Sequence, residues 1–199
     1  TMYAMLSSGG TATFEAAKTA PIYMVESGPV GGVMAARALG EAMRERNIIT
    51  LDIGGTTAKS ALIEDGNIRV NTDYQLGRTR FFSGHPIKVP VVDIVEIGAG
   101  GGSIAWVDAG GALRVGPQSA GAEPGPACYN KGGAEPTVVD ANLLAGRLNP
   151  DFFLGGQIKL NVQNAKNAVS KIAKGFNVTE REAALGILRI ANSNMINML

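Results

Sequence analysis

Soft-metal ligands and redox pairs are almost missing from this chain. It has one cysteine, Cys128, and one histidine, His85, in 199 residues, so neither an internal disulfide nor a His/Cys zinc cluster can be assembled. A lone thiol fits a reducing compartment, and the expected location is cytoplasmic. Neither sign of charge dominates: the formal net charge is +1, with no basic run and no aromatic-interleaved stripe, which argues against a nucleic-acid partner. No apolar run approaches the length of a bilayer span, and Thr1 to Gly10 lack a basic start followed by an apolar core, so neither a membrane segment nor a secretory signal is expected. A G-x-x-x-x-G-K-[ST] loop is also absent, which excludes a P-loop. What remains, 45% hydrophobic and 18% charged residues, is the composition of an ordinary globular domain large enough to bury a core. Thr1 to Leu6 reads as a core strand already under way, and Asn194 to Leu199 stops inside an apolar helical pattern, so both ends are expected to be cuts through a longer protein.

Glu26-Ser27-Gly28-Pro29 opens a helix, with Ser27 the expected N-cap and Pro29 in the first turn, where its missing N–H costs little. Gly32, Ala35, Ala36, Leu39 and Met43 recur at helical spacing and predict a small-sided buried face, suited to a cleft or hinge or to tight packing on a sheet. Asn47 is the expected end. Ile48 to Leu51 then predicts a short strand that delivers Asp52 to its C-terminal end, followed by Gly54-Gly55-Thr56-Thr57, a second strand from Ala58 to Ile63, an Asp65-Gly66 turn and a hairpin partner around Ile68 to Val70.

A strand–Gly-Gly–strand bend suits phosphate. Glycines permit positive φ and carry no Cβ, so successive backbone N–H groups can converge on an anion. Thr56 and Thr57 add hydroxyl donors. Asp52 would repel phosphate directly, so its use beside one is to hold hydrated Mg²⁺ or to orient a nucleophilic water. The bland alternative is a tight hairpin with Asp52 as a solvated cap.

The order of features extends the pattern: a small-faced helix, an apolar strand, Asp-x-Gly-Gly-Thr and a hairpin resemble the connecting helix and second phosphate loop of the actin, chaperone and sugar kinase superfamily. The runs Ser27 to Gly32, Asp52 to Thr57, Gly98 to Ala105, Gly116 to Tyr129 and Pro136 to Asn142 together resemble the hydantoinase A and 5-oxoprolinase family and the related acetone carboxylase subunit. The resemblance implies an α/β fold: an actin-like ATPase (ribonuclease H-like) lobe with a mixed sheet, a β-hairpin phosphate loop and flanking helices. Residues 1–25 would end a preceding lobe, 26–46 form the connecting helix, and 47–199 the second phosphate-binding lobe and the start of a hinge helix. It implies ATP and Mg²⁺ as cofactors, and a hydantoinase B-like partner subunit or domain. The chemistry implied is phosphorylation of a carbonyl or amide oxygen of a small cyclic amide before hydrolysis, or carboxylation of a ketone. A nucleotide-gated interaction module is the alternative from a different class, with a sugar kinase behind it. The family carries another Asp-x-Gly-Gly-Thr loop upstream, absent here, so this stretch would hold half a nucleotide site. Ala58-Lys59 stands where many relatives have an acid, and a Lys59 facing the cleft would add charge to the phosphate grip.

Other candidates are weighed on context. The run Gly98 to Ser103 is followed by a strand, Ile104 to Val107, a turn at Asp108 to Gly111 and a hairpin partner at Leu113 to Val115, which excludes a Rossmann loop. By analogy Gly100, Gly101, Gly102 and Ser103 line the nucleotide cleft; otherwise they form a glycine-rich strand connection. Gly116 to Pro136 lacks any period and is placed at the substrate mouth. Cys128 within it has no basic neighbours and reads as a buried reduced thiol. Asp140 is expected at a strand end as the second catalytic acid, in metal or substrate binding, or as the N-cap of the helix beginning at Ala141. Glu96 is a weaker acidic candidate, and His85 a loop histidine. Near the end, Ala165, Ala168, Val169, Ile172 and Ala173 form one helical stripe stopped by Gly175. Ala184, Leu188, Ala191, Met195 and Leu199 form another, after a Thr179/Glu182 capping box.

Overall fold

The computed structural model describes residues 2–77 and 82–197; Thr1 and Leu199, assigned above to a strand and a helical stripe, lie outside them. The fold is mixed α/β. In chain order the elements are β1 (Tyr3–Met5), β2 (Thr11–Thr13), α1 (Phe14–Thr19), α2 (Ser27–Met43), β3 (Ile48–Ile53), β4 (Ala58–Glu64), β5 (Asn67–Ile68), β6 (Val70–Asn71), β7 (Tyr74–Leu76), β8 (His85–Ile87), β9 (Val91–Val92), β10 (Val95–Ile97), β11 (Ser103–Val107), β12 (Leu113–Ser119), α3 (Val138–Leu144), α4 (Val162–Phe176) and α5 (Glu180–Ile196). They fall into two compact units: Thr1–Asp52 with Lys59–Val95, and Ile53–Ala58 with Glu96–Leu199. No described helix is long and apolar enough to cross a membrane.

In the first unit, β3 pairs with β4 and β4 with β5. The β4–β5 turn places Asp65 and Gly66 at φ 51° and 78°, the two positive values a tight hairpin requires. Side chains reinforce the β3–β4 pairing. Thr50 Oγ1 accepts from Ala61 N at 2.9 Å and donates to Ala61 O at 3.2 Å, while Ser60 Oγ donates to Thr50 O at 2.7 Å. Val30 and Val33 of α2 pack with Ala61, Ile63 and Val92 to form the core. Ser7, fully buried, is satisfied by its hydroxyl bond to Tyr23 O at 2.8 Å.

The helix α2 departs from its expected face and ends. Val30, Val33 and Gly40 are buried, whereas Leu39 and Met43 are 61% and 63% exposed. The periodicity selected the apolar stripe, but β4 and the hairpin are met by the neighbouring one. Glu26, not Ser27, is the N-cap, in the left-handed region at φ 58°, and Arg44 closes the helix at φ 61°, three residues before the expected Asn47. Gly40 is the position of closest approach: a Cβ there would run into Ile48 Cδ1 and lie 2.7 Å from Glu45 O.

The second unit is built on the β11–β12 hairpin, paired antiparallel from Ser103↔Ser119 to Val107↔Leu113 with a register shift between Ser103 and Ala105. Ala105 and Val115 pack with α3, α4 and α5 in one core. The α4 stripe is the expected one, Ala165, Ala168, Val169, Ile172 and Ala173, although the helix runs through Gly175 and ends with Asn177 in the left-handed region at φ 53°. The Thr179/Glu182 capping box is present at the start of α5. Its buried face is Ala183, Ala184, Ile187, Leu188 and Ala191.

Substituting Gly40→Ala forces either Ile48 or the Glu45 carbonyl to move. The expected cost is about 1–3 kcal/mol, read as a lowered melting temperature, with Gly31→Ala, where nothing lies within 4 Å of the added Cβ, as the mild control.

Candidate functional site

The loop Gly54 to Thr57 lies between β3 and β4 and is closed by Gly54 N–H donating to Thr57 O at 2.9 Å. Its back is held by the glycine run. Gly101 N–H donates to Gly54 O at 2.9 Å and Gly102 N–H to Gly55 O at 2.6 Å. The approach is so close that a Cβ on Gly100 would lie 2.7 Å from Gly54 O, and one on Gly102 2.9 Å from Gly55 O. Only glycine fits there, because the atoms in the way are backbone.

This geometry favours the glycine-rich strand connection over a lining of the nucleotide cleft as the reading of Gly100, Gly101, Gly102 and Ser103. Gly100, Gly102 and Ser103 are buried. All four amides are used inside the protein: Gly100 N–H by Ser103 Oγ at 2.8 Å, Ser103 N–H by Gly100 O at 3.1 Å, and the other two by the loop. The run backs the loop with its amides.

The front of the loop is different. Gly55 and Thr56 are exposed, and their N–H groups donate to no described acceptor. Nothing lies within 4 Å of where a Cβ on Gly55 would stand. Neither Gly54 nor Gly55 has positive φ, so the reason for glycine here is open space, not the turn. Thr56 Oγ1 is exposed, and Thr57 is partly covered. Two unspent amides and a hydroxyl beside an empty volume match a phosphate's oxygens.

Asp52 is exposed on β3 and makes no described side-chain hydrogen bond or ion pair. It lines a cavity of about 290 Å³ with Pro29, Gly32 and Ala36 of α2, and with Lys59 and Ser60. Part of the small-sided stripe of α2 therefore faces this cavity. Lys59 Nζ pairs with Glu26 Oε2 at 3.2 Å, both side chains less than 20% exposed, and Tyr74 donates its hydroxyl to Glu26 Oε1 at 3.2 Å. A left-handed Glu26 is strained, and the strain sits beside this cavity. No cluster of three or more His, Cys, Asp or Glu side chains suited to a metal occurs among the described residues. An all-protein metal cage is therefore not what this site offers. One free carboxylate does fit Mg²⁺, which keeps several waters and takes its other ligands from phosphate.

Asp140 is fully buried, which does not fit an acid that must reach metal or substrate. Its strand placement is also corrected: Thr137 is the N-cap of α3, and Asp140 is the third residue of the helix, in a capping box. The carboxylate accepts from Cys128 N at 2.8 Å, Ala127 N at 3.3 Å, Thr137 N at 3.0 Å and Thr137 Oγ1 at 2.7 Å. It thus pins the Gly/Pro segment to α3, and the same end of α3 donates from Val139 N to Gly101 O at 2.8 Å. Asp140 positions the backing of the loop. Cys128 is buried; burial first, then the charge and hydrogen bonding of Asp140, push its thiol far above the ordinary range, as expected for an inert thiol. Glu96 and His85 are exposed, His85 at the start of β8 and not in a turn. Glu26, Tyr74 and Ser119 are not marked as site residues by any sequence motif. Glu26 was legible only as a helix start, and Ser119 is brought to the loop by the β11–β12 register.

Asp140→Ala leaves three buried N–H groups without their acceptor, and a loss of about 2–4 kcal/mol in unfolding free energy is expected from denaturant titration. Cys128 should resist a thiol reagent at pH 8 in the native protein and react stoichiometrically once denaturant is added.

Known proteins resemble this chain in sequence and fold. The hydantoinase/oxoprolinase family model matches residues 1–199. The caprolactamase α subunit of Pseudomonas jessenii is 41% identical over 192 residues, covering 96% of this chain and 27% of that protein. The 5-oxoprolinase 1 of Arabidopsis thaliana is 35% identical over 189 residues, 86% of this chain and 14% of that one. Nucleotide-free acetone carboxylase, from a study of ATP-dependent acetone carboxylation, superposes with a TM-score of 0.83 at 33% identity, over 97% of this chain and 26% of that one. The chain thus spans about a quarter or less of the length of these relatives. With the family model matched along its whole length, the chain belongs to the hydantoinase/oxoprolinase family.

Proposed function

We propose that this chain is the second phosphate-binding lobe, with its connecting helix, of an actin-like ATPase whose full-length form is an ATP-dependent amidohydrolase acting on small cyclic amides. The observation that carries the reading is the Gly54 to Thr57 loop, with open space at Gly55 and free amides at Gly55 and Thr56. In this reading Gly54, Gly55, Thr56 and Thr57 hold phosphate oxygens. Asp52 is the catalytic and metal-binding acid: it would carry the Mg²⁺ hydration shell or orient the attacking group. Bound Mg²⁺ would supply charge neutralisation at the phosphates. Transfer of the terminal phosphoryl group to the amide oxygen releases ADP and makes the amide carbon susceptible to water; addition of one water expels the protonated ring nitrogen and leaves an acyl phosphate, which a second water hydrolyses to the carboxylate and free phosphate. A second Asp-x-Gly-Gly-Thr loop and a hydantoinase B-like partner complete the site.

Ketone carboxylation is the second reading, favoured by the likeness to acetone carboxylase. There the phosphorylated oxygen belongs to an enolate or a bicarbonate.

Phosphate release from Mg-ATP by the full-length protein with its partner decides among these. The comparison is no substrate, 5-oxoproline, a hydantoin, caprolactam, and acetone with bicarbonate. Stimulation by a cyclic amide, falling by at least about 100-fold in Asp52→Asn, is the expected result. Stimulation by acetone and bicarbonate alone selects the carboxylase, and a rate indifferent to every compound removes the enzyme reading.

A further inference from the structure

Ser119, the last residue of β12, stands beside the loop. Its Oγ accepts from Gly121 N–H at 3.1 Å and lies 3.4 Å from Thr56 Oγ1. A hydroxyl has one hydrogen and two lone pairs. After accepting from Gly121, Ser119 Oγ keeps its proton and one lone pair, so the geometry allows it to donate to Thr56 Oγ1 or to accept from it. Where Ser119 is the donor, the Thr56 hydrogen is left for another acceptor. The space for the Ser119 hydroxyl is itself built in, since a Cβ on Gly102 would lie 2.9 Å from Ser119 Oγ.

We propose that Ser119 is a positioning residue of the phosphate loop: it fixes the polarity of the Thr56 hydroxyl, so that Thr56 donates to a phosphate oxygen of the bound nucleotide. The proposal rests on the nucleotide reading given above and extends it to a residue outside the Asp-x-Gly-Gly-Thr motif. The separation of 3.4 Å is long for an O–H···O bond, as is common for catalytic hydrogen bonds before ligand arrives.

The test is a double-mutant cycle in the full-length protein, combining Thr56→Val with Ser119→Ala and reading both the affinity for a fluorescent ATP analogue and the steady-state constants. Ser119→Ala should weaken nucleotide binding and raise KM for ATP by about 3- to 10-fold with kcat held within about twofold. In the Thr56→Val background it should have no further effect, because the hydroxyl it orients is gone. Ser119→Thr, which keeps the donor, should recover most of the affinity, and melting temperatures report whether any variant has lost its fold. Additive effects overturn the proposal, as does weakened binding in Thr56→Val with none in Ser119→Ala; both leave the nucleotide reading standing. Unchanged nucleotide affinity in Thr56→Val and Asp52→Asn alike removes the nucleotide reading and this proposal with it.

Discussion

The contact between two stretches of bare backbone, Gly54-Gly55 and Gly100 to Gly102, is the constraint on which the candidate site depends. Two N–H groups of the run meet two carbonyls of the loop at 2.9 and 2.6 Å, at a separation that no Cβ on Gly100 or Gly102 would allow. Because the carbonyls of the loop are turned inward and satisfied, its remaining amides are left on the other side. The loop's ability to present donors to an anion is thus a consequence of where its acceptors are spent.

That backing is anchored in turn. Val139 N–H, in the first turn of α3, holds Gly101 O, and the start of α3 is secured by the Asp140 carboxylate, which also gathers Ala127, Cys128 and Thr137. A buried carboxylate with four donors is stabilised where it sits and strongly disfavours rearrangement around it. Behind it, Ala141 and the alanine-rich faces of α4 and α5 pack at short range against the β11–β12 hairpin. The second unit is therefore a rigid mount for the loop. The small residues of this region serve close approach, which no larger core side chain permits.

The first unit holds the exposed acid and a sheltered ion pair. Asp52 lines a cavity edged by Gly32 and Ala36 of α2, with Lys59 paired to Glu26 and Glu26 in turn accepting from Tyr74. An ion pair this sheltered is held by geometry as much as by charge, and its acid comes from a backbone position that ordinary residues avoid.

Local order was legible from the residues themselves. The β3–loop–β4–β5 sequence, the β11–β12 hairpin, the α4 stripe and the Thr179/Glu182 capping box follow from alternation, turn chemistry and caps, which act within a few residues. The family was legible as well, because five motifs in order outweigh any one. What only the tertiary structure decided is which groups are free. Periodicity could not tell which stripe of α2 would be covered, since Leu39 and Met43 look as apolar as Val30 and Val33. A glycine run reads alike whether its amides grip a ligand or a neighbouring loop, and an acid near a helix start reads alike whether it faces solvent or three buried N–H groups. Ser119 lies 63 residues from Thr56 and reaches it only through the hairpin register. Hydrogen-bond partners across such separations are set by packing, and packing is where a motif acquires its function.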